Sequence, residues 1–186
     1  MVLIYIRHCR DESEDSATFT HDAKITKRGK RECQKATLDL VEKYGVPRTI
    51  VTSPFLRARQ TSKIMKDIIK KTKGAKVKII VDRSLGRFFT HEQRVKPEIR
   101  PETVTYNPII DKSPREMIKR IKKHLRKVIS KDYHKRSEVF WCISHGVIIK
   151  KLVEALGQKA PEQVEFLESF LITNKATIIE SKSKVH

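Results

Sequence analysis

Short apolar runs alternate along the chain with longer segments in which apolar residues recur every three or four positions. The runs at 2–6, 49–52 and 139–143 are rich in β-branched and aromatic residues, which is typical of buried strands. The segment at 76–81 alternates charged and apolar residues, which predicts a half-exposed strand. A last strand is expected near 176–180, close to the end of the sequence.

The longer segments have the period of amphipathic helices. Thr26 is predicted to cap the first helix, and Gly45, Gly74 and Gly157 stand where three of the helices are expected to end. The third helix has an apolar stripe, and its opposite face is almost entirely Lys and Arg. The four helices are expected at about 27–44, 54–72, 113–130 and 147–156.

This alternation of strands and helices predicts an α/β fold with three αβα layers. The central sheet should be mostly parallel, with helices on both faces. A length of 186 residues fits a single domain, 1–186. The stretch at about 82–112 has no clear period and contains three prolines, which indicates a loop-rich insertion of the kind that often serves as a functional lid.

Composition adds a strong positive charge to this picture. Lys and Arg number 41 against 22 Asp and Glu, a formal net charge of +19. Such an excess favours polyanionic partners, among them phosphorylated metabolites, nucleic acid and acidic membrane surfaces. The same charge is also explained by solvated helix faces, and the basic run at 119–131 is open to both interpretations. No aromatic residues interleave that run as single-strand stacking would require.

The cysteines and the amino-terminal run bear on the cellular compartment. Cys9, Cys33 and Cys142 are far apart and lack metal-ligand spacing, and no secretory signal precedes them. The first apolar run has only five residues before Arg7, too few for a signal peptide or a membrane span. We therefore expect reduced thiols in a cytoplasmic protein with no membrane span.

Candidate chemistry lies where two of the buried runs end. Arg7 and His8 follow the first run directly, and His145 follows the run at 139–143. Arg57 lies on the first turns of the helix after 49–52. The carboxyl ends of parallel strands meet at the ligand crevice of an open sheet, so these side chains should converge. Guanidinium groups and helix amino termini suit phosphate, which points to phosphoryl chemistry.

Four motifs, in chain order and spanning most of the sequence, resemble the signatures of the histidine phosphatases, also called the phosphoglycerate mutase-like superfamily. The family's Arg-His-Gly signature resembles Arg7-His8-Cys9, and its Leu-Thr-x-x-Gly signature resembles Ile25-Thr26-Lys27-Arg28-Gly29. Its Ser-Pro-Leu-x-Arg-Ala-x-Gln-Thr signature is matched nearly in full by Ser53 to Thr61. Its late Ser/Ala-His-Gly signature is matched by Ser144-His145-Gly146. The four together are far more specific than any one of them.

The resemblance implies a phosphatase that needs neither a metal nor a cofactor. By that resemblance His8 is the nucleophile, becoming a phosphohistidine that water then hydrolyses. Arg7 and Arg57 would clamp the phosphate oxygens, and His145 would stabilise the developing charge. The substrate would be a phosphorylated small molecule or a phosphoprotein. Substrate binding is expected from Arg7, Arg57, His145, Thr26 and Gly146.

Two departures from the family pattern matter. Cys9 replaces the glycine of the first signature, and Arg87 stands where the family usually places a general-acid Glu, in the stretch that begins at Asp82. Arginine cannot donate a proton at neutral pH. Three explanations are open: Glu92 is the proton donor, the leaving group is good enough to need none, or the chain is an impaired pseudophosphatase that only binds phosphate or nucleic acid. A mutase-type phosphotransferase is a further alternative, although mutases of the family generally have longer chains.

Overall fold

The computed structural model describes residues 2–13, 23–86, 119, 123, 139–172 and 178–181. The strands in these ranges are β1 (Val2–Arg7), β2 (Thr49–Thr52), β3 (Lys78–Val81), β4 (Val139–Ser144), β5 (Ser169–Ile172) and β6 (Ile178–Ser181). The helices are α1 (Lys27–Tyr44), α2 (Leu56–Lys73) and α3 (Gly146–Ala155), and a short 3-10 turn (Arg83–Leu85) follows β3.

All six of these strands form one sheet, in the order β3-β2-β4-β1-β5-β6. The first four are parallel to one another, whereas β5 runs antiparallel to β1 and β6 antiparallel to β5. The expectation of a mostly parallel sheet is therefore confirmed. Its parallel strands all end at the same edge of the sheet.

Helices cover both faces of the sheet, as the strand–helix alternation predicted. Leu3 and Tyr5 of β1 belong to an apolar cluster with α3, while Ile4 and Ile6 belong to a second cluster with α1 and α2. Successive side chains of a strand point to opposite faces, so the two clusters are the two interlayer cores. The central strand β4 contributes Trp141 to the second core, where it is fully buried.

Three of the four predicted helices, those expected at 27–44, 54–72 and 147–156, are found close to their expected bounds. Thr26 caps α1 through its hydroxyl, which accepts a hydrogen bond of 2.9 Å from the backbone N–H of Gly29. Pro54 precedes α2 rather than opening it, and Gly74 ends that helix with a φ of +65°. Such a left-handed conformation costs a glycine little because it has no Cβ. Strand β3 begins two residues later than expected. Strand β6 is described from Ile178, and positions 176 and 177 of the expected strand lie outside the described residues.

Strand β5 is the element that the pattern of the sequence does not reveal. It has only four residues and follows a loop with no turn signature, so its apolar run is too short to separate from a helix end or a loop. Its antiparallel pairing with β1 identifies it: Ser169 lies opposite Ile6 and Ile172 opposite Leu3. The chain therefore returns to the centre of the sheet before it forms β6.

Two expected segments fall largely outside the described residues. The structure describes the loop-rich stretch at 82–112 only as far as Gly86, including the 3-10 turn. Of the basic helix expected at 113–130, Lys119 and Lys123 are described, and both are helical and exposed.

The described residues show where the positive charge and the cysteines of the sequence lie. Exposed Lys and Arg side chains cover the outer faces of α1 and α2. All three cysteines are buried free thiols, and burial raises the pKa of the Cys142 thiol. A hydrogen bond with the Cys9 side chain and burial together raise the pKa of Cys33. Within the described ranges, no helix combines the length and apolar character that crossing a bilayer requires.

Two close contacts fasten the segment after β1 to the helices beside it. A Cβ built on Gly29 would lie 2.3 Å from the carbonyl oxygen of Arg10, so only glycine lets α1 approach the chain this closely. On α2, the hydroxyl of Thr61 accepts a 3.1 Å hydrogen bond from the buried backbone N–H of Cys9. Both contacts hold the residues that follow β1 at the edge where the parallel strands end.

We expect Gly29→Ala to destabilise the protein by about 1–3 kcal/mol, the usual cost of overpacking a rigid contact. Gly29 lies in the first turn of α1, so alanine gains less there than the roughly 1 kcal/mol of a helix interior, and the overpacking cost prevails. Urea denaturation measures the difference, with Lys30→Ala on the exposed face of α1 as the matched control. A Gly29→Ala variant as stable as the wild type would show that the Arg10 backbone yields freely.

Thr61→Val keeps the shape of the side chain but leaves the Cys9 N–H without its acceptor. We expect a loss of about 1–3 kcal/mol in the free energy of unfolding, the penalty for an unsatisfied buried donor. The control is Ser62→Ala, because the Ser62 hydroxyl donates only to the Ala58 carbonyl of its own helix. The two variants should therefore differ in thermal or urea unfolding, and equal losses would contradict the assigned role of Thr61.

Candidate active site

The pairing of β1 with β4 places two histidines side by side. Arg7 lies opposite Ser144 in this parallel pair, so the next residue on each strand, His8 and His145, leaves the sheet at the same level. The backbone N–H of His8 donates to the Ser144 carbonyl at 3.0 Å, which extends the ladder by one step. The two imidazole rings lie edge to face, with their centroids 5.0 Å apart.

Strand β2 and helix α2 bring in Arg57. The ladder between β2 and β4 continues past the strand end, where the Ser53 N–H donates to the Ile143 carbonyl at 2.9 Å. Helix α2 starts three residues later and carries Arg57 in its first turn. The guanidinium is buried, with 1% of the residue exposed, and its Nε donates to Nε2 of His8 at 3.1 Å.

The hydrogen bonds of His8 define its tautomer. Its Nδ1 lies 2.8 Å from the Cys9 carbonyl oxygen, which can only accept, so Nδ1 carries the hydrogen. Nε2 accepts from Arg57, which can only donate, and it therefore holds the lone pair. The imidazole is thus oriented with its nucleophilic nitrogen toward the guanidinium.

A carboxylate that was not among the expected site residues lies against both groups. Oδ2 of Asp11 is 3.3 Å from Nδ1 of His8 and 3.4 Å from Nε of Arg57. Asp11 is buried, as Arg57 is, and a buried guanidinium is costly without a compensating charge. Asp11, His8 and Arg57 therefore form one connected polar group below the surface.

His145 is held by residues at the start of α2. Its Nε2 is 2.8 Å from the hydroxyl oxygen of Ser53, which also accepts from the backbone N–H of Phe55 at 3.3 Å. The Phe55 ring lies against the imidazole, with the two centroids 4.9 Å apart. His145 itself is the residue before α3, so it stands where that helix presents its unpaired backbone N–H groups.

The loop before β5 covers Arg7. Because β5 is antiparallel to β1, its first residues lie next to the end of β1, and Leu167 and Glu168 bond to the backbone of Arg7. The Arg7 guanidinium donates to the Val164 carbonyl and stacks on the Phe166 ring, 3.7 Å from the ring centroid. Leu167 adopts a φ of +61°, a strained conformation for a residue with a branched side chain.

These groups line a cavity of about 520 Å³. It brings together five of the seven residues expected at the site, namely Arg7, His8, Arg57, His145 and Gly146. Of the other two, Thr26 does not line the cavity and its hydroxyl caps α1, and Glu92 lies outside the described residues. In the described part of the chain, no three His, Cys, Asp or Glu side chains come together as metal ligands would.

Several residues of the cavity were not foreseen from the sequence. Asp11 and Ser53 lie in or next to recognised motifs, but only the fold shows which atoms they contact. Phe166 could not be placed, because β5 was not predicted. The expected proton donor Glu92, and Arg87 at the family's acid position, lie outside the described residues. Burial distinguishes the three acidic residues that line the cavity: Asp11 is buried, whereas Glu162 and Glu165 are exposed at its rim.

Comparison with solved structures shows the same fold in several proteins. YhfR of Bacillus stearothermophilus is 18% identical, with a TM-score of 0.68 over 98% of this chain and 96% of that one. A mycobacterial glucosyl-3-phosphoglycerate phosphatase, solved with VO3, is 17% identical with a TM-score of 0.66 over 97% and 96%. The protein histidine phosphatase SixA, solved with tungstate, is 17% identical with a TM-score of 0.64 over 98% and 95%.

No curated protein matches the sequence. A family model does match, over residues 3–179, and it is the model of the histidine phosphatase superfamily (branch 1). This range includes His8, His145, Arg57 and all of the described strands except Val2 at the start of β1 and the last two residues of β6. The chain therefore belongs to the histidine phosphatase superfamily.

Proposed function

We propose that this protein is a metal-independent phosphatase that hydrolyses a phosphorylated, anionic substrate through a phosphohistidine on His8. The orientation of His8 carries the proposal: its Nδ1–H faces the Cys9 carbonyl, so Nε2, which accepts from Arg57, is the nitrogen that holds the lone pair. Phosphoryl transfer needs such a nucleophile in line with the leaving oxygen, together with positive charge around the other phosphate oxygens.

The positive charge would come from the neighbouring side chains. Arg7 and Arg57 present planar guanidinium groups that match phosphate oxygens, and both line the cavity with His8. His145 lies edge to face with the His8 ring, the centroids 5.0 Å apart, and when protonated it would stabilise charge that develops in the transition state. The amino terminus of α3 opens into the same cavity at Gly146 and adds a favourable dipole.

A phosphorylated substrate also fits the proteins that share the fold. Two of the similar structures are, by name, a glucosyl-3-phosphoglycerate phosphatase and a protein histidine phosphatase. The cavity of this chain could admit either a small phosphorylated molecule or a phosphorylated side chain of a protein. Lys150 stands at its rim among acidic side chains, which suits a substrate that carries charge beyond the phosphate group.

The described residues contribute least to one step of the reaction, the protonation of the leaving group. Asp11 accepts hydrogen bonds on one oxygen and faces Arg57 and His8 with the other, so it is not placed to give up a proton. Glu92 remains the proposed donor from within the chain. The alternative is a leaving group of low pKa, such as an acyl phosphate or a phosphoramidate, which departs without help.

We expect the wild type to hydrolyse p-nitrophenyl phosphate and His8→Ala to reduce the rate to background, because the nucleophile is lost. Rapid acid-free quenching with labelled substrate should trap an acid-labile phosphoenzyme in the wild type alone. Lys63→Ala, on the exposed face of α2, is the control and should keep full activity. Wild-type protein without turnover that binds nucleic acid in a salt-sensitive way would instead identify a binding module.

The leaving group should control the rate if no acid assists its departure. We expect aryl and acyl phosphates to be cleaved about 10²–10⁴ times faster than alkyl phosphates, the range that general-acid catalysis usually supplies. Rates across a series of phosphate esters measure this dependence. If Glu92→Gln abolishes the cleavage of alkyl phosphates alone, Glu92 is the donor; a flat dependence that survives this substitution requires another acid.

A further inference from the structure

Asp11 lies in the phosphate-binding cavity, where a negative charge opposes the binding of an anion. Its carboxylate is buried, with 1% of the residue exposed, and it faces both the nucleophile and a clamp arginine. At separations of 3.3 and 3.4 Å from His8 and Arg57, the carboxylate is close enough to govern how both side chains are oriented. Because this buried charge weakens the binding of an anion, we look for a role of Asp11 in the reaction that offsets that loss of affinity.

The carboxylate is fixed rather than free to swing. Oδ1 of Asp11 accepts a 2.8 Å hydrogen bond from the backbone N–H of Ser13 and a second from the Ser13 hydroxyl. The backbone on both sides is tied to the segment before α1, by a bridge from Asp11 to Ile25 and by a 3.0 Å bond from the Glu12 N–H to the Lys24 carbonyl. The position of Oδ2 between His8 and Arg57 is therefore built into the fold.

We propose that Asp11 is a positioning residue for phosphoryl transfer, which orients His8 and takes over the Arg57 Nε–H when the nucleophile reacts. This inference rests on the proposed function of His8. In the structure, the Arg57 Nε–H is donated to Nε2 of His8, the nitrogen that has to attack phosphorus. The Asp11 oxygen 3.4 Å from the same Nε offers that hydrogen a second acceptor, so the lone pair of Nε2 can be released.

The carboxylate also suits the charge that the reaction creates. The Nε2–P bond forms as the bond from phosphorus to the leaving oxygen breaks, and the leaving group departs with the electron pair. The imidazole keeps its Nδ1 hydrogen and becomes positively charged. Asp11 lies 3.3 Å from that Nδ1, so its negative charge stabilises the phosphorylated ring. When water attacks phosphorus, the electron pair of the Nε2–P bond returns to nitrogen and the stabilisation is no longer needed.

Asp11→Asn tests this role, because it removes the charge and preserves the size of the side chain. We expect kcat for p-nitrophenyl phosphate to fall about 10- to 100-fold. The loss is larger in enzymes where a carboxylate alone fixes the tautomer of the catalytic histidine, whereas here the Cys9 carbonyl still holds Nδ1 of His8. Binding of inorganic phosphate, an anion that does not bond to the imidazole, should be unchanged or tighter, because a negative charge has left the cavity. Asp39→Asn on the exposed face of α1 is the control.

The pH dependence of kcat/KM distinguishes a positioning role of Asp11 from a purely structural one, which would not change it. Four titratable or charged groups face His8: Asp11 on its own segment, Arg7 at the end of β1, Arg57 from α2 and His145 from β4. Only Asp11 favours the protonated imidazole. Its neutralisation should therefore lower the pKa of His8 and move the acid limb of kcat/KM to lower pH. NMR titration of the His8 ring should show the same direction.

Three outcomes separate the possibilities. If kcat falls while inorganic phosphate still binds and the acid limb moves to lower pH, Asp11 positions the nucleophile. If kcat is unchanged, or if kcat, phosphate binding and thermal stability fall together, the proposal is wrong. If Asp11→Asn does not fold, Ser13→Ala replaces it, because this variant loosens the carboxylate without removing it. We then expect smaller changes in kcat and in the acid limb, in the same direction. The NMR titration needs no activity, so it judges Asp11 even if the proposed phosphatase reaction is absent.

Discussion

The site depends on the parallel pairing of β1 with β4. The register that sets Arg7 opposite Ser144 fixes the backbone from which both histidines depart, and no loop intervenes between the strands and the imidazoles. A slip of one residue would turn each side chain to the other face of the sheet. The buried alternation of β1 prevents such a slip, since Ile4 and Ile6 fill one core and Leu3 and Tyr5 the other. The packing of the core thereby sets the geometry of the reactive groups.

At the same edge of the sheet, the buried charge of Arg57 is compensated by neighbouring side chains. Arg57 is almost fully buried, and an isolated guanidinium in that position would be strongly destabilising. Asp11 and His8 supply its partners, while the Phe55 ring lies against it, with the guanidinium carbon 5.2 Å from the ring centroid. Arg7 is held differently, by a carbonyl and the Phe166 ring on the loop before β5. The two arginines are thus oriented independently of each other.

Most of the framework was predictable because its signals are local. The composition and length of the runs at β1, β2 and β4 identify buried strands, and Thr26 and Gly74 mark helix ends that the structure confirms. The motif around Gly29 is recognisable in the sequence, but its cause is a tertiary contact, the close approach of α1 to the Arg10 carbonyl. Strand β5 was missed because three apolar residues after an unpatterned loop define no period, and only its partner β1 makes it a strand.

The sequence by itself determined the layers of the fold and which residue types reach the ends of the parallel strands, since periodicity and chain order are properties of neighbouring residues. Tertiary structure alone decided the contacts among them. Asp11 faces Arg57, which is remote from it in the chain, and Phe166 reaches Arg7 because an antiparallel strand returns beside β1. Such pairings depend on how the elements pack, and no local pattern encodes them.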